Sequence, residues 1–425
     1  MPYATEHSLT TDVDISSLAF WSRPFAERDR AFERLRREAP VSWHTPLEVP
    51  GYGPEQHGEK GFWALVRAVD IAAVSRNSDD FSSEHGVGLA PSPLQISQLA
   101  SFFLGMDPPR HTVYRRIISA AFTPRAVARL HEQIRTRACA IVDDLVGAGR
   151  IDFVERCAAV LPMQTICDLI GVPPSQQEEV RRAANLFVSE SDPEERPKDV
   201  DAISFRLGLA RYLHRVGAEL AADRRKHPRD DLVTNLVQAE VDGHSLSDEE
   251  IGAFMILMSV AGNDTTKQTT SLAVMALAEK PDQRAWLVED LPGRLDGAIE
   301  EFIRHGTPVM TFARCAKRDL EIAGVPIEKG DKVGLLYCSG NRDESAFVDP
   351  HRFDLSRGRT MHVGFGGGGT HYCLGANIAK AQLRALFEQL LTRLPPLEVG
   401  EPEHLVSNFI RGVKRLPVDV GTRSA

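Results

Sequence analysis

A single cysteine closes a glycine run in His362-Val-Gly-Phe-Gly-Gly-Gly-Gly-Thr-His-Tyr-Cys373-Leu-Gly375, and a helical pattern begins at once after it. A thiolate there gains from the positive end of the helix dipole and from nearby backbone N–H donors. Gly366 to Gly369 would let the backbone lie against a flat planar ligand where a Cβ would collide, and Gly375 keeps the first helical turn close. The chemistry that needs this is a metal bound by one thiolate with its other face open. A second group, Ala261-Gly-Asn-Asp264-Thr265-Thr266, lies midway along the longest helical pattern. Gly262 and Asn263 are poor helix-interior residues, so something other than propensity placed them, and the helix could open locally there. An acid beside a hydroxyl forms a proton-delivery pair.

The elements that must hold these groups are mostly helical. Apolar residues recur at helical spacing over Phe25 to Arg37, Pro109 to Phe122, Ala126 to Leu145, Phe205 to Ala222, Ser247 to Ala278, Leu291 to Arg304 and Leu374 to Leu391. Ser247 is the expected N-cap of the longest helix, with Glu250 as its capping-box partner. Strand signals are few: Phe62 to Val66, Leu320 to Ile327 and Lys332 to Leu336, the last two flanking a hairpin-like Glu328-Lys329-Gly330. Ser82 to Ser97 reads as a long surface loop, a feature often tied to function. No repeat, low-complexity tract or long linker interrupts the chain. The expected class is mainly α with minor β sheet, residues 25–425 forming one domain and residues 1–24 an N-terminal extension that could be mobile.

Composition narrows the function. A formal charge of −9 over 425 residues argues against a protein that coats nucleic acid or an anionic membrane. The first twenty residues have neither a basic flank nor an apolar run, and the longest apolar stretch, around Phe254 to Ala261, is too short to span a bilayer. A cytoplasmic protein without a membrane anchor is expected. Cys139, Cys157, Cys167, Cys315, Cys338 and Cys373 include no CxxC pair, so zinc or redox-dithiol chemistry gains no support. Gly364, Gly366 and Gly369 match GxGxxG, but that fingerprint needs a βαβ unit and a later acid that the surrounding pattern does not offer.

The Cys373 segment resembles the haem-binding signature of the cytochrome P450 superfamily, FGxGxHxCxG, with one extra glycine between Phe365 and Cys373. That variant resembles bacterial members acting on sterol side chains and methyl-branched lipids. The resemblance implies a P450 fold, a single large domain enclosing haem b, with Cys373 as the iron ligand and Phe365, Gly375 and Ala261 against the cofactor. It gives Thr265 a hydrogen-bonding role and Asp264 a relay role. It assigns His111, Arg115, Arg314 and His362 to the haem propionates. It makes Glu301, Arg304 and Arg352 a structural ion-pair network behind the cysteine loop. Apolar candidates for substrate contact are the Ser82–Phe103 loop with Phe103, and Phe254, Met258, Ala261, Val309, Met310 and Phe409.

The implied activity is monooxygenation: one oxygen atom of O2 enters a C–H bond of a hydrophobic small molecule such as a terpenoid, sterol or branched lipid. Electrons would come from a separate ferredoxin and its reductase, docking near a basic patch of Arg110, Arg116, Arg125 and Lys380. A peroxide-driven haem enzyme and a non-catalytic haem sensor or ligand carrier are the alternatives. Asp264 and Thr265 count against both, since peroxide arrives already reduced and a sensor needs no proton path. A monomer is the default, because no exposed heptad appears.

Overall fold

The helices that position the site are α1 (Phe25–Glu38), α2 (Ala68–Arg76), α3 (Leu94–Ser101), α4 (Arg110–Ala121), α5 (Pro124–Leu145), α6 (Val160–Ile170), α7 (Pro174–Val188), α8 (Ala202–Lys226), α9 (Asp248–Glu279), α10 (Leu291–Gly306) and α11 (Ala376–Arg393). The structure is a computed structural model that describes residues 7–121, 124–189, 192, 194, 197 and 200–422, without the side chains of 94, 98, 101 and 124–126. The expected end of α4 at Phe122 lies outside the described residues. Ser247 caps α9 as anticipated: its hydroxyl accepts the Glu250 N–H at 3.2 Å, and the Glu250 carboxylate accepts the Ser247 N–H at 2.9 Å. The helix then runs 32 residues through the main core. Its buried polar stretch is tolerated because Thr269, Thr270 and Ser271 return their hydroxyls to carbonyls one turn back, at 2.8, 2.9 and 3.0 Å.

The strands that frame the site are β1 (Val41–His44), β2 (Phe62–Leu65), β3 (Phe81–Ser82), β4 (Thr311–Ala316), β5 (Leu320–Ile322), β6 (Val325–Ile327) and β7 (Lys332–Leu336), with further short strands at Ala148–Asp152 and from Glu398 onward. One five-stranded sheet has the order β1-β2-β7-β4-β3, antiparallel except where β2 meets β7 with Ala64 opposite Gly334. The expected hairpin between Leu320–Ile327 and Lys332–Leu336 does not form. Leu320–Ile327 is itself the hairpin, because Ala323 (φ 49°) and Gly324 (φ 83°) supply the left-handed pair that a two-residue turn requires. Residues 328–331 instead return to the end of β4, where Gly330 and Ala316 donate to Ala316 and Asp331 carbonyls at 2.8 and 2.9 Å.

Two further expectations change. Ser82–Ser97 is not wholly a surface loop: Val87 and Leu89 are buried, Ala313 N–H donates to the Val87 carbonyl at 2.8 Å, and α3 begins at Leu94. Residues 7–24 are packed onto the sheet. His7 lies between Trp43 and Trp63, with Nε2 3.0 Å from both carboxylate oxygens of Asp331. Ile15 and Phe20 are fully buried in a second core with Phe32, Phe62, Met310 and Leu336. Among the described residues no helix is long and apolar enough to cross a membrane.

Candidate active site

The loop that carries Cys373 is shaped by four consecutive left-handed glycines, Gly366 to Gly369, with φ of 101, 66, 102 and 79°. A Cβ on Gly369 would lie 2.4 Å from the Ser75 carbonyl oxygen, and one on Gly367 2.9 Å from Ser75 Oγ. Gly367 and Gly369 are therefore needed for backbone turning and for close approach to the end of α2. Arg76 Nε donates to the Gly367 carbonyl at 3.1 Å and fixes that approach. The loop closes on itself where the Cys373 N–H reaches the Phe365 carbonyl at 3.1 Å. α11 starts at Ala376 rather than Leu374, with Gly375 as its N-cap.

Of the six cysteines, Cys373 is exposed, Cys139 half-buried and the other four buried. Cys373 is solvent-accessible, yet the surrounding protein still penalises charge on its sulfur. Burial raises the pKa of its thiol, opposed by the Gly375 and Ala376 N–H groups and by Arg115 and Lys380. Burial alone holds the Cys157 thiol protonated, and it dominates at Cys167, Cys315 and Cys338, which are raised to about 12, 11 and 12. Those four behave as small apolar residues.

Beside the loop, His111 and His371 face each other with ring centroids 4.2 Å apart. His111 is 1% exposed, and neither of its ring nitrogens has a protein partner. Burial, with help from Arg115 and Arg314, lowers its pKa to about 4. His371 falls to about 3, through burial and then through Arg314, His111 and Arg115. Arg115 is anchored by donating to the Tyr372 carbonyl at 2.8 Å, and Arg314 by donating to the Ala313 carbonyl at 2.7 Å. Two guanidinium groups and two neutral imidazoles thus converge from α4, β4 and the cysteine loop. Buried donors without partners cost stability unless a bound group completes them, and this set calls for an anionic one.

α9 passes the site unbroken, so no locally opened helix is present. A Cβ on Gly262 would lie 2.4 Å from Ile166 Cδ1 on α6, so a larger residue there would need that side chain to shift. At about 100° per residue, Phe254, Met258, Ala261 and Thr265 share one face, while Asn263, Asp264 and Lys267 share another. Thr265 donates its hydroxyl to the Ala261 carbonyl at 2.8 Å, and Asp264 pairs with Lys267.

Residues 208–404 match the family model described as Cytochrome P450. Over 96% of this chain and 94% of the relative, the chain is 38% identical to a methyl-branched lipid omega-hydroxylase of Mycobacterium tuberculosis. It is 40% identical to a steroid C26-monooxygenase of the same species over 91% of this chain and 88% of the relative. A Mycobacterium marinum cytochrome P450 solved in complex with pseudoionone superposes with a TM-score of 0.91 at 44% identity, over 97% of this chain and all of that one. The chain is a cytochrome P450.

The P450 family uses haem b, and the residues present fit it. Cys373 offers the one thiolate, and the unpartnered nitrogens of His111 and His371 with Arg115 and Arg314 offer donors for two propionates. His362 is not with them. Its Nε2 lies 3.0 Å from Glu300 Oε2, and Lys380 Nζ lies 2.6 Å from Glu300 Oε1, so His362 braces the loop between α10 and α11. Phe365 lies on that same side, its ring under Lys380 at 5.1 Å. His371, two residues before the cysteine, is the residue that sequence reasoning left without a role. Its spacing in the signature was the available signal.

Behind the loop, Arg304 and Glu301 form a fully buried bidentate pair at 2.7 and 2.8 Å. The expected third partner enters differently: Arg352 gives its carbonyl at 3.2 Å while its side chain stays exposed, and the second cation is Arg357, 3.5 Å from Glu301. Arg304 also donates to the Asn341 carbonyl at 2.7 Å, and Asn341 Oδ1 accepts the Val363 N–H at 2.8 Å, tying the pair to the start of the cysteine loop.

Of the apolar candidates, Met258, Val309 and Phe409 are half-buried and Ala261 is exposed. Phe103 and Phe254 are buried, with ring centroids 6.4 Å apart, and Phe103 reaches to within 5.7 Å of His111. Met310 is corrected: it is fully buried in the second core with its sulfur 3.4 Å from Arg28 Nη1, because neighbours in an extended chain point to opposite sides.

Proposed function

We propose that this P450 oxidises a hydrophobic, branched aliphatic small molecule, a sterol or methyl-branched lipid, at its branched chain end. The observation that carries this reading is the pair of relatives named for methyl-branched lipid omega-hydroxylation and steroid C26 oxidation, each covering nine-tenths of the chain or more. The apolar face of α9, with Phe254, Met258 and Ala261, suits such a substrate. When bound, haem supplies dioxygen activation. The protein's part is to fix the cofactor through Cys373 and the His111, His371, Arg115 and Arg314 cluster, to exclude water, and to move protons along Asp264 and Thr265.

Electrons come, in this reading, from a ferredoxin and its reductase. Supporting a docking place is a cleft of about 800 Å³ on the outer side of the cysteine loop, lined by Val69, Arg76, Arg359, Met361, Tyr372 and Lys380. Val69, Met361 and Tyr372 are exposed there beside Arg76, Arg359 and Lys380, with Asp296 and Glu300 also on the wall. The side chain of Arg125 lies outside the described residues, and Arg116 is paired with Asp242 at 2.5 Å.

The test reconstitutes the holoenzyme with a surrogate ferredoxin and reductase and offers a methyl-branched fatty acid, a sterol and a straight-chain acid. A terminal alcohol on the branched end of either of the first two supports the proposal. Turnover confined to the straight chain would overturn it. Thr265→Ala should divert dioxygen-driven turnover to peroxide release while sparing product formation from added peroxide. Equal loss of both routes would remove the proton role from Thr265.

A further inference from the structure

Phe25, at the start of α1, is ringed by three guanidinium groups. The central carbons of Arg411, Arg28 and Arg342 lie 3.6, 5.5 and 5.6 Å from the centre of its ring. Arg28 is 7% and Arg342 2% exposed, and Arg411 is half-buried. The acid beside them is Asp29, and it is shared: His351 Nδ1 lies 3.0 Å and Arg342 Nε 3.7 Å from its Oδ2, with Arg36 Nη1 3.9 Å from its Oδ1. Among the described residues neither Arg28 nor Arg411 has an ion-pair partner. Arg28 Nε is buried without a hydrogen-bond partner, and Nη1 reaches the Met310 sulfur at 3.4 Å. Arg411 Nη1 donates to the His305 and Gly306 carbonyls at 2.9 and 3.1 Å. Burial lowers the Arg411 pKa to about 9, and repulsion from Arg342 and Arg28 adds to the fall. Burial also takes Arg342 to about 10 although Asp29 opposes it.

Contact with an aromatic ring offsets part of the cost of burying these cations. The rest calls for an anion, since buried charges are ordinarily paired and buried donors ordinarily satisfied. Guanidinium forks match the oxygens of a carboxylate or phosphate. The cluster also backs onto paired segments whose other side carries Val309 and Phe409. There the Met310 N–H donates to the Phe409 carbonyl at 2.8 Å and the Arg411 N–H to the Pro308 carbonyl at 2.9 Å.

We propose that Arg28, Arg342 and Arg411 form a binding site for one small oxoanion of the phosphate class, beside Phe25 and built from residues other than those around Cys373. The anion satisfies Arg28 Nε, relieves the repulsion among the three cations, and braces the 308–310 and 409–411 segments from behind.

The test titrates the holoenzyme with inorganic phosphate at constant ionic strength set by sodium chloride, following Tm and, by calorimetry, heat of binding. Wild type, Arg28→Met and Arg411→Gln are compared. The wild-type Tm should rise with the logarithm of phosphate concentration, by about 3 °C at a hundredfold excess over Kd, with one site per chain by calorimetry. Both variants should lose that rise. In chloride alone Arg28→Met should unfold no earlier than wild type, because a surplus buried charge has gone; in phosphate the order should reverse. General salt stabilisation acts on every variant alike and has no midpoint. A wild-type Tm that responds to phosphate no more than to chloride would overturn the proposal. So would phosphate binding that survives in Arg411→Gln, the half-buried position whose substitution least threatens folding, since the anion would then sit elsewhere.

Discussion

Removing Arg304 should weaken the whole molecule and the cysteine loop together. Its guanidinium is fully buried and donates to both Glu301 oxygens and to the carbonyls of Asn341, Pro350 and Arg352. Arg304→Met leaves the buried Glu301 carboxylate with the Asp354 N–H at 2.9 Å and with Arg357 at 3.5 Å. Breaking a buried pair from one side costs about 3–5 kcal/mol, and orphaned carbonyls add about 1 kcal/mol each. Some relaxation toward Arg357 offsets this, so a loss of about 5 kcal/mol is expected. With an unfolding entropy of about 2.1 cal/mol/K per residue, a chain of 425 residues has about 0.9 kcal/mol/K, and Tm should fall by about 6 °C. Thermal unfolding followed by circular dichroism and by Soret absorbance measures both the fold and haem retention. Glu301→Leu with Arg304→Met should fall no further than Arg304→Met alone, because the second change removes the stranded charge. A double variant that loses the sum of the two single losses, or an Arg304→Met protein within about 1 °C of wild type, would refute a coupled buried pair.

Gly369→Ala would force a Cβ to 2.4 Å from the Ser75 carbonyl at φ +79°, so the variant should express with low haem occupancy, read as the ratio of Soret to protein absorbance. Glu300 gives a pH prediction. Burial would raise its pKa, but hydrogen bonds from His362 and Lys380 outweigh that and lower it from 4.5 to about 2. A depressed carboxyl stabilises the fold above its unfolded pKa and loses that contribution as pH falls through the folded one. The Tm gap between wild type and Glu300→Gln should therefore be constant above about pH 4.5 and narrow below it, as acid unfolding curves would show. Reversing charge at Arg359 and Lys380, which line the outer cleft, should slow ferredoxin-dependent reduction and flatten its salt dependence, measured by stopped-flow under carbon monoxide; an unchanged rate would move the docking site elsewhere.

The cysteine loop and α9 were legible because rare residue types stood at narrow spacings, and because Ser247 and Glu250 form a local capping box that needs no tertiary help. What sequence could not assign was direction. Four left-handed glycines reverse the chain between His362 and His371, so the two histidines end on different sides of the loop although both precede the same cysteine. Pairing of β2 with β7 joins residues some 270 positions apart, and no local pattern encodes that register. Arg352 was misjudged for a related reason: its carbonyl, not its side chain, meets the buried pair. Met310 is different, since strand alternation already implied that Val309 and Met310 could not both face the substrate. Lys267 stands three residues after Asp264, a spacing that places them on one helix face, yet its burial against α7 appears only in three dimensions.

The central claim is that Cys373 is the haem ligand. The most direct test is the carbon monoxide difference spectrum of dithionite-reduced protein, wild type beside Cys373→His, both produced in cells able to supply haem. A strongly red-shifted Soret band in wild type, absent in the variant, is the predicted result. A wild-type protein that purifies without haem, or a red-shifted band that survives in Cys373→His, would contradict the account.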